Sequence, residues 1–314
     1  EVGKEERMKL IAISPENVKL TGDIAFYCRG LKVSRQGFYS HLEAQKKPWK
    51  YEALAAEIYE IIDEDECNDT YGRYRMHKAL ELKKEAKDGD FPHIPCERTV
   101  YRIMERLGIV HTPKRKPNGI TKADKEAMKS DDKIKRDFTA QRPLEKAVTD
   151  ITEIQTADGK LYISTIEDCF DNAVLGLSMA DNMKAGLCVD TLKSAIMSYP
   201  GLRGAIIHSD RGSQYTSGEY RQAIEKYGII QSMNSAGGRC HDNAKCESLW
   251  GRFKEELLYD RYDAKKMSMA AVKSLIWRYF MSYWNNRRIC SANGGLPPMV
   301  KRKKFYERQY AKTA

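Results

Sequence analysis

Between residues 143 and 262 the sequence switches between strand and helix patterns in an order that few folds accommodate. Three strand patterns come first, KAVTDITEI, KLYISTIEDCF and NAVLGLSMAD, and the Asp158-Gly159 pair between the first two is a hairpin signal. They are followed by a helix pattern, a short apolar strand (GAIIHSD), a second helix, a fifth strand (IIQSMN) and a long helix. The order βββαβαβα predicts an α/β fold with a mixed five-stranded sheet and helices on both faces.

Three acidic residues occupy informative positions in this predicted fold. Asp150 lies within the first strand, Asp210 ends the fourth, and Glu247 lies near the start of the long last helix. By analogy with the order of its elements the layout is RNase H-like, with the first and fourth strands adjacent. We therefore expect Asp150 and Asp210 side by side, with Glu247 brought over both by its helix.

Such a group of acids points to metal chemistry. Three clustered carboxylates repel one another unless a cation neutralises them, and their hard oxygen ligands favour Mg²⁺ or Mn²⁺. Two ions about 4 Å apart activate a water or a 3′-hydroxyl and stabilise the leaving oxygen of a phosphodiester. Each acid alone is weak evidence, because an Asp at a strand end is more often a cap or a solvated turn residue, so the hypothesis depends on all three together.

Ahead of the sheet, residues 46–111 carry three helix patterns. The last, CERTVYRIMERLGI, has an apolar stripe and ends at Gly108, where a C-terminal cap is expected. Its other face carries a basic residue at every fourth position, Arg98, Arg102 and Arg106. We interpret the segment as a helix-turn-helix-like DNA-binding domain. A small bundle with a solvated basic face is the alternative.

Four further segments complete the predicted organisation. Residues 1–45 form an N-terminal helical segment, in which Ser34 is expected to cap either a recognition helix or an ordinary surface helix. Residues 112–142 form a basic linker with little apolar content, and residues 143–262 form the core that carries the acids. Residues 263–314 are expected to form a further helix and a basic, turn-rich tail.

Composition narrows the possible partners. The 314 residues have a formal net charge of +10, which fits either a solubilising surface or a polyanionic partner such as nucleic acid. The sequence has no signal peptide and no apolar run of about 18 residues, which predicts a cytoplasmic protein that does not span a membrane. The chain starts at Glu1, which fits a trimmed or processed chain or a reading frame entered by frameshift.

The eight cysteines include no Cys-x-x-Cys pair. We expect them to be ordinary thiols in a reducing cytosol. Cys240, His241 and Cys246 stand close together, but no partner pair lies nearby at the spacing of zinc ligands. A zinc knuckle is therefore disfavoured.

Several segments resemble the IS-three family of insertion-sequence transposases (OrfB type), which belongs to the DDE superfamily together with retroviral integrases. VTDITEI, IIHSDRGSQYTSGEYRQAIEKYGIIQSMN, CHDNAKCESLWGRFKEEL and YWNNRRI…LPPM are similar to the integrase catalytic core of that family. DTYGRYRMHKAL with RTVYRIMERLGI, and KVSRQGFYSHL before them, are similar to the helical segments that precede the core. The resemblance extends from about residue 25 to about residue 305.

The resemblance implies a transposase that binds double-stranded DNA, both the terminal inverted repeats of its element and the target, and cleaves and joins strands. DDE catalysis would be carried by Asp150, Asp210 and Glu247 as ligands of Mg²⁺ or Mn²⁺, with two ions bound. The family's basic residue beyond the glutamate corresponds to Lys254, which shares a helix face with Glu247 and is expected to contact DNA phosphate. A homo-oligomer, and a frameshift fusion or complex with an upstream helix-turn-helix protein, are also implied.

Residues around Asp210 are further candidates for DNA contact. Arg211, Gln214 and Tyr215 follow it on a predicted loop. His208 lies two residues before Asp210 in the strand, so the two side chains point to the same side. His208 is therefore either a residue that orients DNA or a water, or a packed core histidine.

Two positions depart from the family pattern. Between Asp210 and Glu247 lie 36 residues, one more than the family spacing of 35, with the extra residue in the NSAGGRC loop, where an insertion is tolerated. Ala147 stands where the family usually has a tryptophan, which predicts looser packing behind Asp150. Because all three acids are present, catalysis is favoured over a regulator that binds DNA without cutting it. A nuclease that does not join strands would use the same acids.

Overall fold

The computed structural model describes residues 3, 6–8, 24–87, 89–112, 131–234, 243–259 and 261–313, apart from the side chains of residues 45, 46, 312 and 313. The chain divides into two compact units, Glu1–Ala56 and Glu57–Ala314. In the part that is described, no helix is long and apolar enough to cross a membrane.

The first unit contains helices α1 (Ile24–Gly30) and α2 (Arg35–Lys46). The predicted cap is confirmed, because the Ser34 hydroxyl accepts a hydrogen bond from the Gly37 backbone N–H at 3.1 Å. Phe38 of α2 is buried in a small apolar cluster with residues of α1 and the turn between the helices. This cluster is the core of the first unit.

The second unit begins within helix α3 (Glu52–Asp63), and a 3₁₀ turn at Glu66–Thr70 follows. Helices α4 (Arg73–Ala86) and α5 (Glu97–Leu107) come next. Gly108 has φ +71° and the Ile109 N–H donates to the Met104 carbonyl at 3.1 Å, so α5 ends in the predicted glycine cap.

These helices do not form a domain separate from the sheet. Residues 57–107 lie in the same compact unit as the sheet, and the predicted division between residues 111 and 112 does not coincide with the division between the units. The physical reason is a set of ion pairs with the C-terminal region. Arg75 lies 2.8 Å from Glu256, and Asp65 lies 2.8 Å from Arg278. The linker predicted at 112–142 falls largely on residues 113–130, outside the described residues.

The five predicted strands form one sheet in the order β3-β2-β1-β4-β5. They are β1 (Lys146–Thr156), β2 (Gly159–Asp168), β3 (Val174–Ala180), β4 (Ile206–Ser209) and β5 (Ile230–Met233). The first three strands are antiparallel, whereas β4 and β5 continue the sheet in parallel pairs from β1. The predicted hairpin is confirmed, because Thr156 pairs with Gly159 across its turn and Gly159 has φ +121°.

One face of the sheet packs against α6 (Ala185–Ser198) and α8 (Gly218–Lys226), with the short helix α7 (Ser213–Thr216) between them in sequence. Helix α6 approaches β3 closely at Gly176. A Cβ built there would lie 2.5 Å from the Thr191 carbonyl oxygen, so only glycine permits this contact.

The other face packs against α9 (Ala244–Phe253) and α10 (Met269–Trp277). Each helix passes directly into a π-helical turn, Lys254–Leu258 and Arg278–Trp284 respectively. The sequence predicted two uninterrupted helices here. The large rings of Phe253, Tyr279 and Phe280 meet where the π turns lie, with ring centroids 5.0 to 5.4 Å apart.

The predicted basic tail contains a helix that the sequence analysis missed, α11 (Pro298–Thr313). Arg302 holds it to the sheet, because its guanidinium lies 2.7 Å from both Asp168 and Asp171 at the β2–β3 turn. The apolar residues of this segment are few, so helical periodicity gave no signal.

Candidate active site

The strand register places the first two predicted acids next to each other. β1 and β4 are parallel, and Val148 pairs with His208. Continued by two residues, the same register sets Asp150 opposite Asp210, which follows the last residue of β4. Neighbouring strands lie about 4.8 Å apart, so the two residues are close together where β4 ends beside the middle of β1.

Asp150 is half-buried beneath helix α9. The Trp250 indole N–H donates a hydrogen bond to its Oδ2 at 3.1 Å. Burial raises the pKa of Asp150 to about 7, and the negative charges of Asp210 and Glu247 contribute to this rise. The Asp150 carboxyl is thus held where its charged form is disfavoured unless a cation compensates it.

Asp210 is also half-buried, and burial raises its pKa. The backbone N–H of Gly212 donates to its Oδ1 at 2.9 Å, which opposes that rise and fixes the carboxylate. A Cβ at Gly212 would lie 3.0 Å from the same oxygen. The glycine after Asp210 therefore leaves room for the carboxylate to fold back on its own loop.

Glu247 projects from the first turns of α9 and is exposed. It lies near enough to raise the pKa of Asp150, so all three acids belong to one neighbourhood. Among the described residues, however, no group of three His, Cys, Asp or Glu side chains is already arranged to hold a metal ion. The structure thus pairs two acids and leaves the third beside them.

The start of α9 lies directly over β1. Asn243 is the residue that precedes the helix, and its side chain does not cap it. Its amide instead faces the Thr149 carbonyl oxygen at 3.5 Å. Cys246 is fully buried with Val148 and is not exposed as a ligand. Cys240, His241 and Asp242 lie outside the described residues.

Two of the residues considered for DNA contact are in the core. His208 is 1% exposed, and its ring nitrogens lie 2.9 Å from the Ser232 hydroxyl and 2.8 Å from Asn234 Oδ1. Its burial favours the packed-histidine alternative. Tyr215 is also 1% exposed and packs against Tyr220, so its ring does not reach the surface where DNA would lie.

The remaining candidates beside the acids are more accessible. Arg211 and Gln214 are half-buried, and their side chains donate to the backbone carbonyls of Asn234 and Met183 respectively. Lys254 is half-buried at the end of the regular part of α9. It lines a cleft of about 540 Å³ beside the end of β1.

The basic face predicted for α5 is present. Arg98, Arg102 and Arg106 are all exposed, whereas Val100 and Ile103 on the opposite face are buried. The helix thus presents three cations to solvent.

Sequence reasoning missed Trp250 as a member of the site. It lies three residues after Glu247 and closes over Asp150. Its position on the sheet-facing side of a helix is the usual place of a core aromatic residue, so the pattern gave no separate signal. Ala147 is fully buried in the core on the α6 side of the sheet.

The protein families that this chain matches agree with this architecture. Two family models, both described as integrase core domain, match residues 140–238 and 228–298. Together they span the sheet, both acids of the strand pair and helix α9. The second unit therefore contains an integrase core with the RNase H-like fold.

Relatives that align with nearly the whole chain identify its family. The chain is 31% identical over 280 residues to InsK of Escherichia coli, named as a transposase for insertion sequence element IS150, covering 88% of this chain and 93% of the relative. It is 28% identical over 291 residues to the transposase InsF of insertion sequence IS3A from Escherichia coli, covering 93% and 97%. The chain belongs to the IS3 family of insertion-sequence transposases.

A longer relative and one solved structure complete the comparison. The chain is 31% identical to a Shigella flexneri protein named as a transposase for IS1353, covering 95% of this chain and 55% of that protein. The magnesium complex of the HTLV-2 integrase catalytic core domain in its dimeric form is 17% identical, with a TM-score of 0.37, covering 51% of this chain and 96% of that one. That score is too low to add to the family assignment.

Proposed function

We propose that this transposase cleaves and joins DNA strands with Asp150, Asp210 and Glu247 as ligands of a divalent metal. The observation that carries the proposal is the pair of adjacent half-buried carboxylates, Asp150 and Asp210, whose pKa values are both raised. Such an arrangement destabilises the folded chain unless it serves a cation, because each carboxylate disfavours ionisation of the other.

The residues fit a hard metal ion. Asp150 and Asp210 supply carboxylate oxygens from two adjacent strands, and the exposed Glu247 side chain can join them as a third ligand. Oxygen-only donors select Mg²⁺ or Mn²⁺ over softer metals, and two ions are the number that phosphoryl transfer of this kind uses. When bound, the ions lower the pKa of an attacking hydroxyl and stabilise the leaving oxygen.

The chain's own groups prepare the site for this chemistry. Asp150 must lose its proton before it can hold a cation, and the Trp250 N–H favours the ionised form. Gly212 holds Asp210 in place. In the proposed reaction, water attacks a phosphodiester at the element end and a 3′-hydroxyl leaves. That hydroxyl then attacks a phosphodiester of the second DNA: a new P–O bond forms to the attacking 3′-oxygen, the P–O bond to the 3′-oxygen of the attacked strand breaks, and that strand leaves with a 3′-hydroxyl.

DNA would approach along two basic surfaces. Arg98, Arg102 and Arg106 present charge from α5. The second surface comprises Lys254, at the cleft beside the end of β1, and Arg211 and Gln214, which follow Asp210 in sequence. Contacts from these residues would be mainly to phosphates, which position the duplex without reading its sequence.

The test uses the purified chain, a labelled duplex that carries the terminal repeat of its element, and Mg²⁺ or Mn²⁺. We expect metal-dependent nicking and strand joining. Glu247→Gln should abolish both while leaving duplex binding intact, because it removes a charge and little volume. Glu225→Gln, which changes an exposed acid of α8, is the matched control and should act like the wild type.

The alternatives give different results. A regulator would bind the duplex and never cut it, with or without Glu247. A nuclease would release a 3′-hydroxyl and never transfer it to a second duplex. Assembly is tested separately, since synapsis of two ends predicts a multimer. Light scattering of the chain with end duplex should then show two or more copies. If the fusion is needed, this assembly should form only when the upstream helix-turn-helix protein is added.

A further inference from the structure

Two residues before Glu247, helix α9 carries a lysine that turns into the protein. The Lys245 side chain is only 13% exposed, and its Nζ lies 3.3 Å from Oε1 of Glu167 near the end of β2. The same ammonium donates a hydrogen bond to Oδ1 of Asn172 in the β2–β3 turn. The Glu167 side chain is 4% exposed, so this ion pair is removed from water.

The far end of this contact is fixed. Asn172 has φ +63°, and its own amide donates to Asn293 Oδ1 at 3.1 Å. Its backbone carbonyl accepts a hydrogen bond from the Trp284 indole at 2.8 Å. Lys245 therefore joins the first turn of α9 to a turn held from two other sides.

Among the described residues, the near end of this contact has few other polar anchors. The Asn243 side chain does not cap α9, and the hydrogen bond from its amide to the Thr149 carbonyl is long at 3.5 Å. Lys245 and Glu247 are two residues apart on a helix, so their side chains leave it in nearly opposite directions. A lysine drawn inward therefore fixes the rotation of α9 that carries Glu247 on its other side, near enough to Asp150 to raise the pKa of that carboxyl.

Stability alone does not account for the pair. A buried ion pair is often no more stabilising than apolar residues of the same size, because desolvation offsets the attraction. We infer that Lys245, held by Glu167 and Asn172, is a positioning residue that sets Glu247 over Asp150 and Asp210. The inference rests on the proposed function, since it assigns Lys245 a role through Glu247.

The test is the double variant Lys245→Met/Glu167→Gln, which removes the pair without leaving either charge buried alone. Its thermal midpoint should stay close to that of the wild type. The Mg²⁺ concentration that half-saturates strand cleavage should rise about tenfold or more, as for other partners behind metal ligands. Affinity for the end duplex in Ca²⁺ should not change.

A second buried pair provides the matched control. Lys83 Nζ lies 3.2 Å from Glu57 Oε2 in the helical region, with side chains 19% and 8% exposed. Lys83→Met/Glu57→Gln makes the same substitutions away from α9 and should keep the wild-type metal requirement. A purely structural role for Lys245 predicts that both double variants change only their melting temperatures.

Lys245→Gln is the second variant, and it too should raise the Mg²⁺ requirement. A wild-type Mg²⁺ requirement in either folded Lys245 variant overturns the inference, provided that Glu247→Gln is inactive in the same assay. If Glu247→Gln cleaves DNA like the wild type, it is the proposed function that fails. The two failures are thus distinguished by the same set of reactions.

Discussion

The metal-free protein should become more stable when Asp150 is replaced by asparagine. In the folded chain, the pKa of the Asp150 carboxyl is raised from the ordinary value of 3.8 to about 7. Between pH 3.8 and about pH 7, Asp150 keeps its proton in the folded chain and has lost it in the unfolded chain. The free energy of unfolding therefore falls as the pH rises through this range. At 1.36 kcal/mol for each pH unit, the free energy of unfolding is lower by about 4 kcal/mol once the pH is above 7.

That value is an upper bound, because Asp150 is only half-buried and water screens part of the repulsion. Asp150→Asn keeps an oxygen that accepts from Trp250 and removes the charge. We therefore expect the variant to gain about 1 to 4 kcal/mol at pH 8 in EDTA. The gain should shrink steadily toward pH 4, where the folded wild-type carboxyl is already neutral.

Urea denaturation at pH 5 and pH 8, with and without Mg²⁺, measures this effect. Added Mg²⁺ should stabilise the wild type at pH 8 and leave the stability of Asp150→Asn unchanged. At saturating Mg²⁺ the wild type should therefore be the more stable of the two proteins. Asp190→Asn, an exposed substitution on α6, is the control and should show no pH-dependent difference. The reasoning is refuted if Asp150→Asn is the less stable protein at pH 8 without metal, or if its gain is the same at both pH values.

Three other substitutions test neighbouring contacts. Trp250→Phe removes the donor to Asp150 and raises that pKa, so strand cleavage near pH 7 should slow by up to about tenfold and recover at higher pH in a pH–rate profile. Glu256→Gln leaves Arg288 buried beside a neutral group and should cost about 3 to 5 kcal/mol of stability by urea titration at pH 7. The Glu256 pKa is lowered to about 2, so this pair's contribution is present above pH 4.5 and is lost as the pH falls through 2. His208→Asn should lower the melting temperature and leave DNA affinity unchanged, whereas a DNA-orienting histidine would show the opposite pattern.

The sheet and its acids were predictable because the signals are local. The strand pattern around Asp150 and the hairpin signal at Gly159 depend on residues adjacent in sequence, and the strand and the hairpin are both present. The adjacency of Asp150 and Asp210 needed one further step, the order of the strands, which came from analogy with the RNase H-like layout and is confirmed by the structure.

The contacts that surround the acids were not predictable in the same way. Trp250 and Lys245 each have an ordinary periodic position on α9, and only the packed structure shows that one meets Asp150 and the other Glu167. The π turns after α9 and α10 also escaped prediction. Where a helix changes its winding depends on side chains from distant segments, such as Phe253 and Tyr279, which meet only after folding.

The placement of the helical region follows from charge rather than from apolar periodicity. Glu256 stands in the π turn after α9, and Arg288 lies 2.6 Å from it while Arg75 reaches it from α4. One buried carboxylate thus joins the helical region, the C-terminal region and the helix that carries Glu247. A group that is costly to leave unpaired holds three segments in one arrangement, because loosening any of them exposes or isolates a buried charge. Rigid attachment of this kind suits the role proposed for Glu247, which requires it to meet two other acids within a narrow tolerance.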